Sequence, residues 1–313
     1  MNIWDDLPKP FFVLAPMEAV TDHVFRQVVL RAAPADVAMT EFTNAASFCH
    51  PNGRQSTESR LFVDANEGPV IAQIWGNNPD HFAEMSIALA GRGTFAGIDI
   101  NFGCPAKDIT RQNACSALIG NFELVAKLIA GAKAGGLPVS VKTRIGRREI
   151  ETESWFSFLL NQDLAAITVH GRTVKEMSKV PTHWDEIAKV VALRNSIAPN
   201  TKIIGNGDVL DRAAGEQLAT ETGVDGIMIG RGIFHNIYAF SKQPKQGTSQ
   251  ELFDLLTYHL DLVEDTVTPN RYSALKKFFK IYVNGFPGAA ELRAQLMETT
   301  SVTEARNLLS SQG

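Results

Sequence analysis

A carboxylate, an amide and a thiol stand close together in the run Asp99-Ile100-Asn101-Phe102-Gly103-Cys104-Pro105. Gly103 and Pro105 turn the chain sharply after an apolar stretch, so Cys104 is offered on a loop rather than packed as a small hydrophobe. A thiol so placed is a candidate acid, base or nucleophile. Cys49 and Cys115 lack such neighbours and read as structural.

Lys142 and His170 end two other apolar stretches. A lysine and an imidazole beside a flat, electron-poor ring stabilise the negative charge of its reduced form, and Gln73 can hydrogen-bond to the ring edge. Gly205, Gly207, Gly230 and Gly232 follow two further apolar stretches, where glycines let backbone N–H groups approach a phosphate closely. A phosphate cradle, ring partners and a thiol together imply a mononucleotide flavin, FMN, with an acid opposite it.

Such residues need a frame that brings distant segments together. Short apolar runs at 11–15, 37–41, 70–75, 97–101, 139–142, 166–170, 202–206 and 226–229 read as eight strands. Helical periodicity fills most gaps, as at 80–91, 122–134, 183–196 and 211–222. Near-continuous apolar strands alternating with helices signal a parallel sheet covered on its outside. Eight units in this length fit a closed (β/α)8 TIM barrel of about 250 residues. A doubly wound open sheet is the alternative, but no GxGxxG follows the first strand.

Every strand end carries polar or turn residues. They are Pro16 and Met17, Glu41, Gln73, Asn101, Lys142 with Arg144, His170 with Arg172, Asn206-Gly207-Asp208, and Gly230-Arg231-Gly232. In a barrel these positions converge on the C-terminal face, where active sites are built. Any one of them alone is ordinary loop chemistry; the convergence points to a site.

Composition bounds the setting. The 313 residues are 44% hydrophobic, enough for one large α/β domain with a small appendage. No apolar run reaches the roughly 18 residues of a membrane span, and the first residues lack the basic and apolar regions of a signal peptide. Three cysteines without CxxC or Cys/His clustering argue against a disulfide scaffold or a metal site, so a reducing cytoplasm is expected. With a net charge of −4, any nucleic-acid binding must rely on local basic patches.

The motif series resembles that of the tRNA-dihydrouridine synthases. Its elements are Ala15-Pro16-Met17-Glu18-Ala19-Val20-Thr21-Asp22, Asp99 through Pro105, Val141-Lys142-Thr143-Arg144, His170-Gly171-Arg172-Thr173, Gly205-Asn206-Gly207-Asp208 and Met228-Ile229-Gly230-Arg231-Gly232, in that order. The resemblance spans roughly residues 11–235. It implies an FMN-dependent barrel that reduces a uracil base in tRNA with NADPH as electron donor, followed by a C-terminal helical domain that grips the tRNA. It places Pro16, Met17, Gln73, Lys142, His170, Asn206, Gly207, Asp208, Gly230 and Arg231 on the flavin, and Asn101, Arg144 and Arg172 on the substrate. It makes Cys104 the acid that protonates C5, opposite a hydride delivered to C6. In two places the chain departs from the family, with Ser178 and His183 where a tyrosine and an aspartate are usual. The loop Thr110-Arg111-Gln112-Asn113-Ala114-Cys115 also lacks the family's glycines, and Asn113 can adopt the left-handed backbone that a glycine would supply.

Beyond Phe240 a polar Pro/Gly linker leads into expected helices at 250–266, 272–283, 289–298 and 302–310, dividing the chain into 1–240 and 241–313. Arg271, Lys276, Lys277 and Lys280 lie among aromatic residues and form a basic stripe suited to tRNA phosphates. A monomer is expected. Two other readings remain open: an FMN barrel acting on a small molecule, like dihydroorotate dehydrogenases or ene-reductases, and a non-catalytic RNA-binding protein on the same frame.

Overall fold

The computed structural model describes residues 2–266 and 271–310. Eight parallel strands form its centre: β1 (Phe11–Leu14), β2 (Val37–Met39), β3 (Val70–Trp75), β4 (Gly97–Phe102), β5 (Val139–Arg144), β6 (Ala166–His170), β7 (Lys202–Asn206) and β8 (Gly226–Ile229). Each pairs with its sequence neighbour, and β1 also pairs with β8, which closes the barrel. A two-residue strand, Thr43–Asn44, adds to the end of β3. The expected eight strands are all present, within one or two residues, except that the second stops at Met39 and leaves Glu41 in the following loop.

Side chains alternate along each strand, so the two faces separate cleanly. Phe12, Leu14, Ile98, Ile100, Val141, Ile167, Ile203 and Ile227 point outward into the packing between barrel and helices. Phe11, Val13, Ile71, Ala166, Ile204 and Met228 fill the lower interior, with Trp4 closing the N-terminal end against Phe11 at 5.6 Å between ring centroids. Above that apolar layer the same alternation places Gln73, Asp99, Asn101, Ser140, Lys142, Thr168 and His170 inside. The floor is apolar and the upper interior is polar.

Helices cover the outside, including His23–Ala32, Pro79–Arg92, Phe122–Lys133, Thr152–Leu160, Trp184–Ile197 and Arg212–Thr222. A long helix, Ser249–Glu264, opens the C-terminal segment behind a Thr248–Glu251 capping box, in which each side chain satisfies the other's backbone N–H. It packs on the helix after β1. Phe25 of that helix stacks on Phe278 at 4.3 Å, and Phe278 lies parallel to Phe234. The apolar core therefore runs unbroken from the barrel into the C-terminal helices.

One expected element differs. The stretch 272–283 is not a single helix but Arg271–Leu275, a 3-10 turn Lys276–Phe278 and a short helix Phe279–Tyr282. Leu275, Phe278, Phe279, Ile281 and Tyr282 are all buried, an apolar face wider than one α-helical stripe presents. The tightened turn falls where that face widens.

Candidate functional site

A cleft of about 560 Å³ opens at the C-terminal ends of β1 and β5–β8, lined by Pro16, Met17, Lys142, His170, Asn206, Gly207, Asp208, Gly230 and Arg231. Of the residues named for a flavin, Gln73 and Gly205 are absent from that lining. Ala15, Ser178, Val209, Leu210, Met228, Gly232 and His235 complete the wall.

Lys142 reaches across the barrel to Asn206, its Nζ donating to Oδ1 at 2.9 Å, and Asn206 Nδ2 donates in turn to the Met228 carbonyl at 3.0 Å. Burial lowers the Lys142 ammonium to about 8, with repulsion from Arg144 adding to the effect and attraction from Asp99 and Cys104 opposing it. His170 is held well below the usual imidazole range by burial and by Lys142, Arg144, Arg172 and Arg231, so it is neutral near pH 7. Arg172 Nη1 lies 3.5 Å from His170 Nε2. A guanidinium can only donate, so Nε2 accepts and the ring proton sits on Nδ1. The imidazole is therefore neutral, not the second cation that residue type alone suggests.

Below Arg231, Asp208 collects three donors: Arg172 through Nη2, Arg231 at 3.0 Å and the Thr182 hydroxyl at 3.2 Å. Gly207 is required here. Its φ is 136°, and an added Cβ would stand 2.5 Å from Thr182 Oγ1. Gly205, read above as part of the phosphate cradle, has another reason to be glycine. It is buried, does not line the cleft, and an added Cβ would come within 2.5 Å of the Trp184 ring.

The thiol lies beside this cleft on the loop after β4. Cys104 is half-buried and, like Phe42, Trp75 and Ala106, packs against the small cluster of Ile109, Ala114 and Cys115. Burial raises its pKa above the ordinary thiol value, while a backbone hydrogen bond at Ala106 partly opposes that rise. The thiol is thus protonated at neutrality. Asn101 Oδ1 accepts the N–H groups of both Gly103 and Cys104 at 2.9 Å, and Ser116 N–H bonds to the Cys104 carbonyl at 3.3 Å. Asn113 adopts φ 53°, the left-handed conformation expected of it, and Cys115 follows at φ 51°. Burial pushes the Cys115 thiol up, and that of Cys49 to about 11, so neither competes as a thiolate.

Gln73 sits deeper. Its Nε2 donates to Asp99 Oδ2 at 2.7 Å, and its Oε1 accepts from Asn101 Nδ2 at 3.0 Å. The register explains the contact, since Gln73 pairs with Asp99 across β3 and β4, and Asn101 pairs with Lys142 across β4 and β5.

The two arginines named for substrate are already engaged. Arg144, lowered to about 10 by burial and by Arg172 yet still charged, donates from Nε to the Gly103 carbonyl at 2.9 Å. Its Nη1 donates to the carbonyls of Thr173 and Met177 at 3.1 and 3.0 Å. It ties the thiol loop to the loop after β6. Arg172 is buried and holds Val180 and Asp208. His183, where the family usually has aspartate, gives no side-chain cap to the helix it precedes and instead meets Glu176 at 3.0 Å.

The lysines of the C-terminal stripe do not act together. Lys276 Nζ donates to the Met297 carbonyl at 2.7 Å, Lys277 Nζ donates to the Ala19 carbonyl, and Lys280 is exposed. The side chain of Arg271 lies outside the described residues. Ala19 is worth noting because its φ is 57° and its N–H donates to Glu41 Oε1 at 2.6 Å. Lys277 and Glu41 thus pin both polar groups of a left-handed alanine in the loop that carries Pro16 and Met17. Sequence reasoning placed Glu41 at a strand end without a task, and it missed His235, whose only signal is its place one turn after Gly232. Among the described residues no cluster of His, Cys, Asp and Glu is suited to a metal, and no helix is long and apolar enough to cross a membrane.

The family model and the curated relatives agree with one another. The family model of dihydrouridine synthases (Dus) matches residues 13–312. A probable tRNA-dihydrouridine synthase of Staphylococcus epidermidis is 52% identical over 311 residues, covering 98% of this chain and 95% of that one. Probable tRNA-dihydrouridine synthase 2 of Bacillus subtilis is 51% identical over 311 residues, with coverage of 98% and 95%. Among solved structures, the HMG-CoA lyase of Brucella melitensis shares 11% identity at a TM-score of 0.47, covering 80% of this chain and 91% of that one.

Proposed function

The chain belongs to the dihydrouridine synthase family, and on that footing we propose that it reduces the C5–C6 double bond of uridines in tRNA to dihydrouridine, using FMN with NADPH as electron donor. The observation that carries this reading is a protonated, half-buried thiol within electrostatic reach of Lys142, which lines a cleft whose wall also offers a neutral imidazole, glycines and an arginine.

The donor set fits FMN. Lys142 and the Nδ1–H of His170 suit the electron-rich edge of a reduced ring, and Arg231 with the Gly207 and Gly230 backbone suits a phosphate. An added Cβ at Gly230 would stand 3.5 Å from Ala15 and 3.6 Å from Met17, ordinary contact with two residues of the cleft wall, so it would fit but take up room in the cleft. Held there in its reduced form, FMN would supply the hydride chemistry needed at uracil C6. Cys104 then gives its proton to C5 from the opposite face, a role that needs a thiol rather than a thiolate. Asn101 presents a side-chain N–H to a uracil carbonyl. Arg144 and Arg172 hold the loops after β4 and β6 in place and add positive potential where charge develops on the base.

The base must leave the folded tRNA to enter this mouth. Phosphate contacts for the rest of the tRNA fall to the segment 241–313, through Lys280, and to the barrel rim. Lys107, Arg111, Arg147, Arg148, Lys175 and Lys179 are exposed on the loops after β4, β5 and β6, the ones that flank Cys104. A yellow purified protein that converts uridine to dihydrouridine in tRNA with NADPH tests the reading. A colourless protein with no such conversion contradicts it.

A further inference from the structure

Asp99 is a carboxylate in the middle of the barrel, fully buried, and the chemistry above gives it no task. Interior positions one layer down are filled by Phe11, Val13 and Ile71, so packing alone is met here by apolar side chains. Asp99 is different in that both of its oxygens are occupied. Oδ1 accepts from the Ser140 hydroxyl and Oδ2 from Gln73 Nε2, each at 2.7 Å.

An ionised carboxylate accepts and cannot donate. Gln73 must therefore turn its NH₂ towards Asp99 and its carbonyl towards Asn101. Asn101 answers with its own NH₂ at 3.0 Å, which leaves its carbonyl for the N–H groups of Gly103 and Cys104. We propose that Asp99 is a positioning residue, which fixes the direction of the Asp99–Gln73–Asn101 hydrogen-bond chain and so holds the turn that carries Cys104. The consequence for the reaction rests on the function proposed above; the consequence for the thiol does not.

The distinguishing feature of this role is acceptor geometry. In Asp99→Asn, Oδ1 can still accept from Gln73 while Nδ2 turns to the Ser140 hydroxyl, which can accept. In Asp99→Leu, of similar shape, Gln73 has no anchor. The rate of Cys104 alkylation by iodoacetamide, mapped by peptide mass, reads the turn without tRNA or turnover. It should rise at least about fivefold in Asp99→Leu and stay within about threefold of the parent in Asp99→Asn and in Ser140→Ala, which keeps the Gln73 hydrogen bond. With tRNA, Asp99→Leu should slow reoxidation of the reduced flavin by about 10²-fold, the scale of a misplaced reacting group. Asp99→Asn should restore it to within about tenfold.

Should Asp99→Leu fail to fold, Gln73→Leu cuts the same chain at its next link and should raise alkylation equally. An unchanged alkylation rate in the folded leucine variant overturns the proposal. So does an Asp99→Asn protein as perturbed as Asp99→Leu, because charge and not acceptor geometry would then be the cause. Failure of the tRNA reaction in the parent protein, with the alkylation pattern as stated, would count against the proposed function and leave the positioning role standing.

Discussion

The side-chain carbonyl of Asn101 receives the backbone N–H of Cys104 at 2.9 Å, so the amide that ends β4 also shapes the turn holding the thiol. In the proposed reaction, substrate orientation and acid placement meet in one side chain. Asn101→Ala should lower the rate of flavin reoxidation by tRNA by about 10²–10³-fold, with flavin content unchanged because Asn101 does not line the cleft proposed for FMN. Stopped-flow absorbance of the reduced enzyme mixed with tRNA measures it.

The protonation state of Cys104 gives a pH prediction. Burial raises this thiol above its ordinary value, and a general acid works only while protonated. Uracil reduction should therefore stay level as pH rises through about 8.5, where an unperturbed thiol would already be half ionised, and decline only above it. Single-turnover rates between pH 6 and about 10 check this, and a decline centred near pH 7 would mean a thiolate instead.

Lys142 predicts an effect of opposite origin. Its ammonium is lowered to about 8 by burial, so its charge is present at neutrality and lost as pH rises through that value. A cation beside the ring stabilises the anionic reduced flavin. The flavin's midpoint potential should therefore fall more steeply between pH 7 and 9 in the parent than in Lys142→Met, which should start lower and lack the extra step. Spectroelectrochemical titration at several pH values decides the matter.

Much of this site was legible because the barrel puts chemistry at strand ends. Pro16, Lys142, His170, Asn206 and Arg231 could be named from apolar runs that stop at polar residues, and they share one cleft. What was not legible depends on register or on long side chains. The hydrogen bond of Gln73 to Asp99 needs the β3–β4 pairing. Arg144 and Arg172 read as substrate cations, yet their guanidinium groups are largely taken up by carbonyls and Asp208. Lys277 read as a phosphate ligand and closes on the Ala19 carbonyl instead. Periodicity also merged three short pieces at 271–282 into one helix, because it registers an apolar face but not its width.

The engagement of Lys276 and Lys277 shifts the expected tRNA grip towards the barrel rim. Replacing Arg147 and Arg148 by alanine should weaken tRNA binding and reduce the slope of log affinity against log salt by roughly one for each phosphate no longer neutralised. Lys280→Ala should do the same on a smaller scale. Filter binding across a salt series separates these from Lys277→Ala, whose main effect should fall on flavin retention through the Ala19 loop.

Gly205 offers a test of the frame itself. Because an added Cβ would come within 2.5 Å of the Trp184 ring, Gly205→Ala should destabilise the protein by about 1–3 kcal/mol. Denaturant unfolding of the flavin-loaded protein reads this, and an unchanged midpoint would mean that the ring can move aside.

Whether Cys104 is the acid of a uridine-reducing flavoenzyme is decided by comparing parent and Cys104→Ala proteins, both loaded with FMN, on unmodified tRNA with NADPH. Dihydrouridine is scored by mass spectrometry of the nucleosides. Both proteins should be yellow and reduced by NADPH at similar rates, while dihydrouridine forms about 10²–10⁴-fold more slowly in the variant. A Cys104→Ala protein that makes dihydrouridine at the parent's rate would refute that role for the thiol.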